Sequence, residues 1–221
     1  MSINVAIDGP AGAGKSTIAK LIAKKMGYIY VDTGAMYRAM ALYFIRNGIK
    51  PEETQKVSEK CKDADISIAY RDGEQVVLLD DENVNGLIRT EEVGNMASAT
   101  SANKNVREKL VELQKKLAAN ADVVMDGRDI GTVVLPNADV KIYLTASSAV
   151  RAKRRYDELV AKGEKADLST IEADIIERDH RDMTREISPL KQADDAVLVD
   201  SSYMTIDEVV QTVVDLIKKI K

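Results

Sequence analysis

A glycine-rich stretch near the start of the sequence has the composition and spacing of a phosphate-binding loop. Residues 9–16, GPAGAGKS, match the pattern G-x-x-x-x-G-K-S and lie between an apolar run and a helical pattern. Glycines let backbone N–H groups converge on phosphate oxygens, and the start of a helix adds partial positive charge. Lys15 can reach the outer phosphates of a nucleotide, and the Ser16 hydroxyl can bind Mg²⁺. The stretch therefore predicts binding of a nucleoside triphosphate.

A second polar cluster follows another apolar run, in VVMDGRDIGT at residues 123–132. Carboxylates that come directly after a strand, here Asp126 and Asp129, suit Mg²⁺ or its bound waters. Arg128 between them can neutralise a phosphoryl group during transfer. For this cluster taken alone, a loop without a ligand is the alternative.

Arginines are the remaining candidates for binding an anion. Arg38 follows the second apolar run, in VDTGAMYR, near the sheet edge where α/β folds bind ligands. Two further sets have the spacing of one helix face each: Arg151, Arg154 and Arg155, and Arg178, Arg181 and Arg185. For the second of these sets, a salt-bridged face exposed to solvent is the alternative, because Asp182 follows Arg178 at i+4. His180, the one histidine of the chain, is interpreted as incidental rather than as a general base.

The composition restricts the class of protein. The chain has 221 residues, a net charge of −4 and 45% hydrophobic residues, which fits a globular domain and argues against a broad nucleic-acid-binding surface. The single cysteine, Cys61, cannot form an internal disulfide, which favours a reducing compartment. No apolar run is as long as a membrane span, and Asn4 and Asp8 disfavour a signal peptide. We therefore expect a cytoplasmic protein without membrane or nucleic-acid partners. We also expect a monomer, because no exposed apolar helix face stands out in the sequence.

Five short apolar runs alternate with helical patterns: INVAI at 3–7, YIYV at 28–31, DVVM at 122–125, VKIYL at 140–144 and AVLV at 196–199. This alternation predicts an α/β fold with a mainly parallel sheet covered on both faces. Residues 66–84 break the alternation, because two β-rich runs flank the turn signal Asp72-Gly73. An antiparallel hairpin with a short third strand is predicted there.

Two capping patterns predict where helices begin. Thr205 with Glu208 precedes a helix of apolar period 3.6, and Ser169 with Glu172 precedes a helix that runs to about Glu186. The polar residues 161–169 are the best candidate for a mobile loop.

The sequence as a whole resembles the bacterial cytidylate kinases of the nucleoside monophosphate kinase family. The segments IDGPAGAGKST, DTGAMYR, IRTEEVGNMAS, DGRDIGTVV and ERDHRDMTR carry the resemblance in this order, over essentially the whole chain. It implies a P-loop NTPase-type three-layer α/β fold with a five-stranded parallel core sheet, a small antiparallel β insertion and a lid. The implied core comprises residues 1–34, 105–149 and 187–221. The implied monophosphate-binding region comprises residues 35–104, with the insertion at about 66–84. The implied lid and its flanking helices comprise residues 150–186.

The resemblance also implies an activity and a donor site. The activity would be transfer of the γ-phosphoryl group of ATP to CMP or dCMP, with Mg²⁺ as cofactor, in pyrimidine nucleotide metabolism. The residues implied to bind ATP are Gly9, Pro10, Ala11, Gly12, Ala13, Gly14, Lys15, Ser16 and Thr17, with the lid residues Arg151, Arg154 and Arg155 near its phosphates. Ser16 would bind Mg²⁺, with Asp126 acting through water.

The implied acceptor site reads phosphate, ribose and base separately. Arg38, Arg128 and Arg185 would hold the CMP phosphate, Arg178 and Asp182 the ribose, and Ser98, Arg107 and Asp129 the cytosine, with Thr33 and Tyr37 lining the same pocket. The implied catalytic residues are Lys15, Arg128, Arg154 and Arg185.

Two other classes of protein share parts of this pattern. One is a kinase acting on UMP, AMP or a sugar-like acid such as shikimate, which a panel of acceptors distinguishes. The other is a P-loop switch whose nucleotide state controls a partner, and the sequence lacks the N-K-x-D motif that reads guanine.

Overall fold

The computed structural model describes residues 2–71 and 73–220, which contain eight strands, eight α-helices and one π-helical turn at Ile130–Val134. In chain order the elements are β1 (Asn4–Asp8), α1 (Lys15–Met26), β2 (Ile29–Asp32), α2 (Thr33–Arg46), α3 (Thr54–Lys60), β3 (Ile66–Arg71), β4 (Glu74–Leu79), β5 (Glu82–Asn83), α4 (Glu91–Thr100), α5 (Lys104–Ala118), β6 (Val123–Gly127), β7 (Val140–Thr145), α6 (Ser148–Ala161), α7 (Leu168–Thr184), β8 (Val197–Asp200) and α8 (Ile206–Lys218).

The core sheet has the strand order β2-β6-β1-β7-β8. β1 pairs in parallel with β7, with Val5 opposite Val140, and β7 pairs in parallel with β8. Val5, Ala6 and Ile7 are fully buried, as expected for a strand covered on both faces. The predicted α/β fold with a five-stranded parallel core is therefore confirmed, and each strand lies within two residues of its predicted bounds.

The described chain divides into two compact units: Ser2 and residues 29–71 and 73–123 form the first, and residues 3–28 with 124–220 form the second. In the second unit α1 packs against α8. The capping box predicted for α8 is present, because Thr205 Oγ1 accepts the Glu208 N–H and Glu208 Oε2 accepts the Thr205 N–H at 2.7 Å. Val209, Val213 and Ile217 of α8 are buried.

The start of α7 differs from the prediction. Its N-cap is Asp167 rather than Ser169, and the Asp167 carboxylate accepts the N–H of Thr170 at 2.8 Å. A carboxylate is a stronger acceptor than a hydroxyl at this position, where the helix dipole favours negative charge. Glu172 makes no capping box and instead accepts the Ser148 hydroxyl at 2.8 Å. The helix ends at Thr184, two residues before the predicted end.

The first unit contains the predicted insertion. β3, β4 and β5 form an antiparallel sheet in that order, so the hairpin and its short third strand are confirmed. Asp72 of the predicted turn lies outside the described residues, and Gly73 has a φ of +79°. The insertion contacts the last residue of β2, because Gln75 Oε1 accepts the Asp32 N–H at 2.8 Å and Gln75 Nε2 donates to the Asp32 carbonyl at 3.2 Å.

Residues 162–167 connect α6 to α7, and their mobility stays a prediction. Across residues 2–71 and 73–220, no helix combines the length and the apolar character that crossing a membrane requires.

Candidate functional site

The loop between β1 and α1 has the backbone that a phosphate-binding loop needs. Gly9 has a φ of +149°, and a Cβ there would lie 1.9 Å from the carbonyl oxygen of Leu144 on β7, so only glycine fits. Gly14 has a φ of +86° and precedes α1 without any side chain capping the helix. The first N–H groups of α1 are therefore not used by a capping side chain and can bind an anion.

Lys15, the first residue of α1, is buried with its amine turned towards the loop. Its Nζ donates to the carbonyl oxygen of Pro10 at 2.8 Å. Burial, together with the nearby charge of Arg128, lowers the pKa of Lys15 to about 7, although Asp126 and Asp8 favour its charged form. An anionic phosphate at this loop would restore the charge of the amine.

Ser16 and Asp126 form the pair that could hold a metal ion. Ser16 Oγ donates to Asp126 Oδ2 at 2.9 Å, across 110 residues of sequence. A hydroxyl and a carboxylate next to a phosphate-binding loop are the oxygen donors that Mg²⁺ prefers, so these residues fit the ion. In the described part of the chain, no group of three or more His, Cys, Asp and Glu side chains has metal-binding geometry.

Asp8, at the end of β1, holds the loop that follows β6. Its carboxylate accepts the Ile130 N–H at 2.8 Å and the Gly131 N–H at 2.7 Å. Burial raises the pKa of Asp8 to about 6, although the two N–H groups favour its ionised form. A Cβ at Gly131 would lie 3.4 Å from the carboxylate and 3.2 Å from the Lys141 side chain, so the backbone fits closely here. Sequence reasoning missed this role, although an acidic residue ending an apolar strand was a signal for it.

Arg128 lies in the same loop and is paired with α7. Its Nε donates to Asp182 Oδ2 at 2.9 Å, and Arg185 Nη1 lies 3.9 Å from Asp182 Oδ1. Burial disfavours the charge of Asp182, but Arg128, Arg178 and Arg185 outweigh it and hold the pKa of Asp182 below its ordinary value. The structure thus brings four predicted residues together: Arg128, Arg178, Asp182 and Arg185.

The arginines of the two predicted helix faces differ in exposure and in their partners, although their spacing suggested two uniform faces. Arg181 is exposed and faces Glu177, so it does not join the buried group around Asp182. Arg154 donates to the Ser201 carbonyl at 2.8 Å, and the exposed Arg155 pairs with Glu158. Arg151 is buried and bound to protein oxygens, as described below.

In the first unit, the predicted acceptor residues lie on and near α2. Thr33 begins α2 and is buried, and the Asp32 carboxylate before it accepts the Ala35 N–H at 2.9 Å. Buried Arg107 has its guanidinium carbon 5.5 Å from the centre of the Tyr37 ring, and its Nη1 donates to the Ser101 carbonyl. Arg38 and Ser98 are half-buried. These groups offer cations, hydroxyls and an aromatic face.

A parallel sheet, a glycine loop and a helix that begins with a buried lysine define a P-loop nucleotide-binding protein. The arginines around the buried Asp182 suit a second anionic substrate, as in a kinase of small molecules.

Comparison with known proteins identifies the family. A model of the family described as cytidylate kinase matches residues 5–219. The chain is 53% identical to a cytidylate kinase of Caldicellulosiruptor saccharolyticus over 218 residues, covering 99% of this chain and 96% of that protein. It is 50% identical to a cytidylate kinase of Lactobacillus johnsonii, covering 98% of this chain and 94% of that protein. The chain belongs to the cytidylate kinase family.

Solved structures support the fold. A shikimate kinase from Bacteroides thetaiotaomicron superposes with a TM-score of 0.50 at 12% identity, covering 98% of both chains. An uncharacterized protein from Eubacterium ventriosum superposes with a TM-score of 0.54 at 11% identity, covering 98% of this chain and 99% of that chain. At such low identity these similarities show the fold alone.

Proposed function

We propose that this protein is an ATP-dependent nucleoside monophosphate kinase that transfers the γ-phosphoryl group of ATP directly to CMP or dCMP. The products are ADP and CDP or dCDP. Membership of the cytidylate kinase family over residues 5–219 is the observation that carries the proposal. The enzyme acts as a cytoplasmic monomer, with ATP and CMP or dCMP as its partners.

The donor binds at the loop of residues 9–17. Backbone N–H groups of the loop and of the first turn of α1 contact phosphate oxygens, and the Lys15 amine neutralises the outer phosphates. The lowered pKa of Lys15 supports this role, because a buried amine gains most from an anionic ligand.

Ser16 and Asp126 would hold Mg²⁺, with Asp126 acting through a water molecule. The ion supplies charge neutralisation on the donor phosphates when it is bound. The hydrogen bond between Ser16 Oγ and Asp126 Oδ2 keeps both oxygens in place for that role.

The acceptor phosphate is held by arginines. Arg38, Arg128 and Arg185 are assigned to it, and Arg178 and Asp182 are assigned to the ribose. The ion pair between Arg128 and Asp182 supports the assignment, because it orients the Arg128 guanidinium before a substrate binds. Arginine also keeps its charge in a buried place, where a fixed positive charge is most effective.

The cytosine is read by a carboxylate and an arginine. Cytosine carries an amino group at position 4 and acceptors at N3 and O2, so Asp129 would face the amino group and Arg107 the acceptors. Ser98 is a further polar contact, and Thr33 and Tyr37 line the pocket. Uracil has a carbonyl at position 4, which would leave buried polar groups unpaired.

The transfer needs no strong protein base. A phosphate monoester has its second pKa at about 6, so the acceptor oxygen is already ionised near neutral pH. Positioning and charge stabilisation then supply catalysis, with Lys15, Arg128, Arg185 and Arg154 as the charged groups.

Closure over the donor would exclude water and prevent wasteful hydrolysis. We assign the lid and its flanking helices to residues 150–186, including Arg151, Arg154 and Arg155. The monophosphate-binding region is assigned to residues 35–104 and the core to 1–34, 105–149 and 187–221.

The proposal is tested by following the phosphoryl group from γ-labelled ATP in the presence of CMP. Direct transfer predicts label in CDP in equal amount to the ADP formed, with no labelled protein. Label found in inorganic phosphate, at a rate unaffected by CMP, would instead indicate an ATPase.

A further inference from the structure

Arg151, at the start of α6, is bound by protein on all three nitrogens of its guanidinium group. Nε donates to the Ala146 carbonyl at 2.9 Å, and Nη1 donates to the Ala11 carbonyl at 2.8 Å, within the phosphate-binding loop. Nη2 lies 2.6 Å from Asp179 Oδ2 on α7. The guanidinium therefore joins the loop to α7 from a buried position.

The aliphatic part of Arg151 supports the same loop. A Cβ added at Gly12 would lie 3.4 Å from the Arg151 Cβ, so the loop backbone rests against this side chain. Arg151 is 5% exposed and Asp179 is 8% exposed. A buried ion pair of this kind fixes both partners, because loss of either leaves the other charge uncompensated.

We propose that Arg151 and Asp179 are positioning residues that hold the phosphate-binding loop against α7, and that Arg151 is not a direct ligand of the nucleotide phosphates. This role rests on the proposed function, in which residues 9–17 bind ATP. It replaces the role that the family resemblance implied for Arg151.

With this pair, α7 makes two ion pairs near the proposed substrate sites, one to Arg151 and one to Arg128. Asp179 and Asp182 are three residues apart on this helix, and Asp182 holds Arg128, which is assigned to the acceptor phosphate. Through Asp179 and Asp182, α7 thus positions both the donor loop and an acceptor arginine. A shift of α7 would change the binding of both substrates.

The test is a double-mutant cycle with Arg151→Lys, Asp179→Asn and the double variant. The dissociation constant of a non-hydrolysable ATP analogue is measured by calorimetry without acceptor, and KM for ATP and kcat are measured with CMP. Asp215→Asn is the matched control, because it makes the same chemical change at an exposed carboxylate on α8, which accepts a hydrogen bond from the Gln211 side chain. If Asp179→Asn does not fold, Asp179→Glu takes its place.

Positioning predicts that each single variant weakens binding of the analogue about tenfold and that the double variant is no weaker than the weaker single variant. The backbone amide signals of Gly12 and Gly14 should shift in the Asp179 variant, which a direct phosphate contact by Arg151 would not require. KM for ATP should rise more than kcat falls, and Asp215→Asn should match the parent.

Two results would overturn the inference. Unchanged analogue binding in Asp179→Asn, with strong loss in Arg151→Lys, would make Arg151 a direct phosphate ligand. Additive losses in the double variant would show that the two residues act independently. The proposed function fails differently, because then the parent protein itself would not bind the ATP analogue or would not use CMP.

Discussion

Several ionisable side chains of this protein are buried, and each is hydrogen-bonded to or paired with a neighbour. Lys15 donates to Pro10, Asp8 accepts two backbone N–H groups, and Asp182 is paired with Arg128. Burying a charge costs free energy unless a partner or a ligand compensates it. Removing one of these ionisable groups should therefore change the function of the protein, even where the new side chain has a similar size.

Lys15→Met should abolish most activity without unfolding the protein. We expect kcat to fall by about two to three orders of magnitude, because the amine stabilises charge that develops on the phosphates. Thermal stability should be retained, since a buried ammonium is replaced by an apolar chain of similar size. Lys24→Met, on the exposed side of the same helix, is the control and should keep full activity. Turnover above a tenth of the parent rate would argue against the assigned role.

Asp129→Ala should mainly remove the preference for cytosine. We expect kcat/KM for CMP to fall about a hundredfold and that for UMP to change little, because only cytosine offers an amino group to the carboxylate. Asp139→Ala, an exposed aspartate that accepts the Asn4 N–H, is the control. Equal losses for the two nucleotides would contradict the base-reading role of Asp129.

The raised pKa of Asp8 predicts a titration that can be observed directly. In the folded protein Asp8 ionises at about 6 instead of 3.8, so its contribution to stability falls as the pH rises through this range. The amide proton signals of Ile130 and Gly131 should shift with a midpoint near this value, because ionisation strengthens their hydrogen bonds. In Asp8→Asn the two signals should show no such step. A midpoint at the ordinary aspartate value would refute the effect of burial.

At the scale of elements, the sequence predicted strands and local caps well. The five apolar runs are strands of one parallel sheet, and Thr205 with Glu208 caps α8, because these features depend on neighbours in sequence. The sequence predicts Ser169 as the N-cap of α7, but the N-cap is Asp167, whose carboxylate accepts the Thr170 N–H. Boundaries of this kind depend on small differences between similar hydrogen bonds.

The close contact between the phosphate-binding loop and β7 gives a stability prediction. Gly9→Ala should destabilise the protein by about 3 kcal/mol or more, because the new Cβ would collide with the Leu144 carbonyl. Gly94→Ala is the control, since Gly94 lies in α4 with open space around its Cβ position. That variant should be neutral or stabilised by up to about 1 kcal/mol in chemical denaturation. Equal stability of the two variants would refute this steric argument.

At the scale of the whole molecule, function depends on contacts between distant parts of the sequence. Arg151 reaches the Ala11 carbonyl across 140 residues, and Asp8 reaches the Gly131 N–H across 123. The loop motif could be predicted from residues 9–16 alone, because its residues are contiguous. The partners of Asp8 and Arg151 could not, since only the folded sheet brings β1, β6 and β7 together.

The charge of the whole molecule also shows why local arrangement matters. A net charge of −4 does not attract nucleotides, so their binding must depend on local groups. Arg128 and Arg185 gather around Asp182, whereas Arg181 faces solvent. Sequence spacing does not distinguish the buried arginines from the exposed one, because it does not show which side of the helix packs against the rest of the protein.

The central claim is tested most directly by Mg²⁺-dependent formation of ADP from ATP with CMP, dCMP, UMP, AMP or no acceptor. We predict strong stimulation by CMP and dCMP and little by UMP or AMP, because the cytosine amino group is the feature that is read. Equal ADP formation under all five conditions would contradict the assignment and indicate a P-loop ATPase or switch.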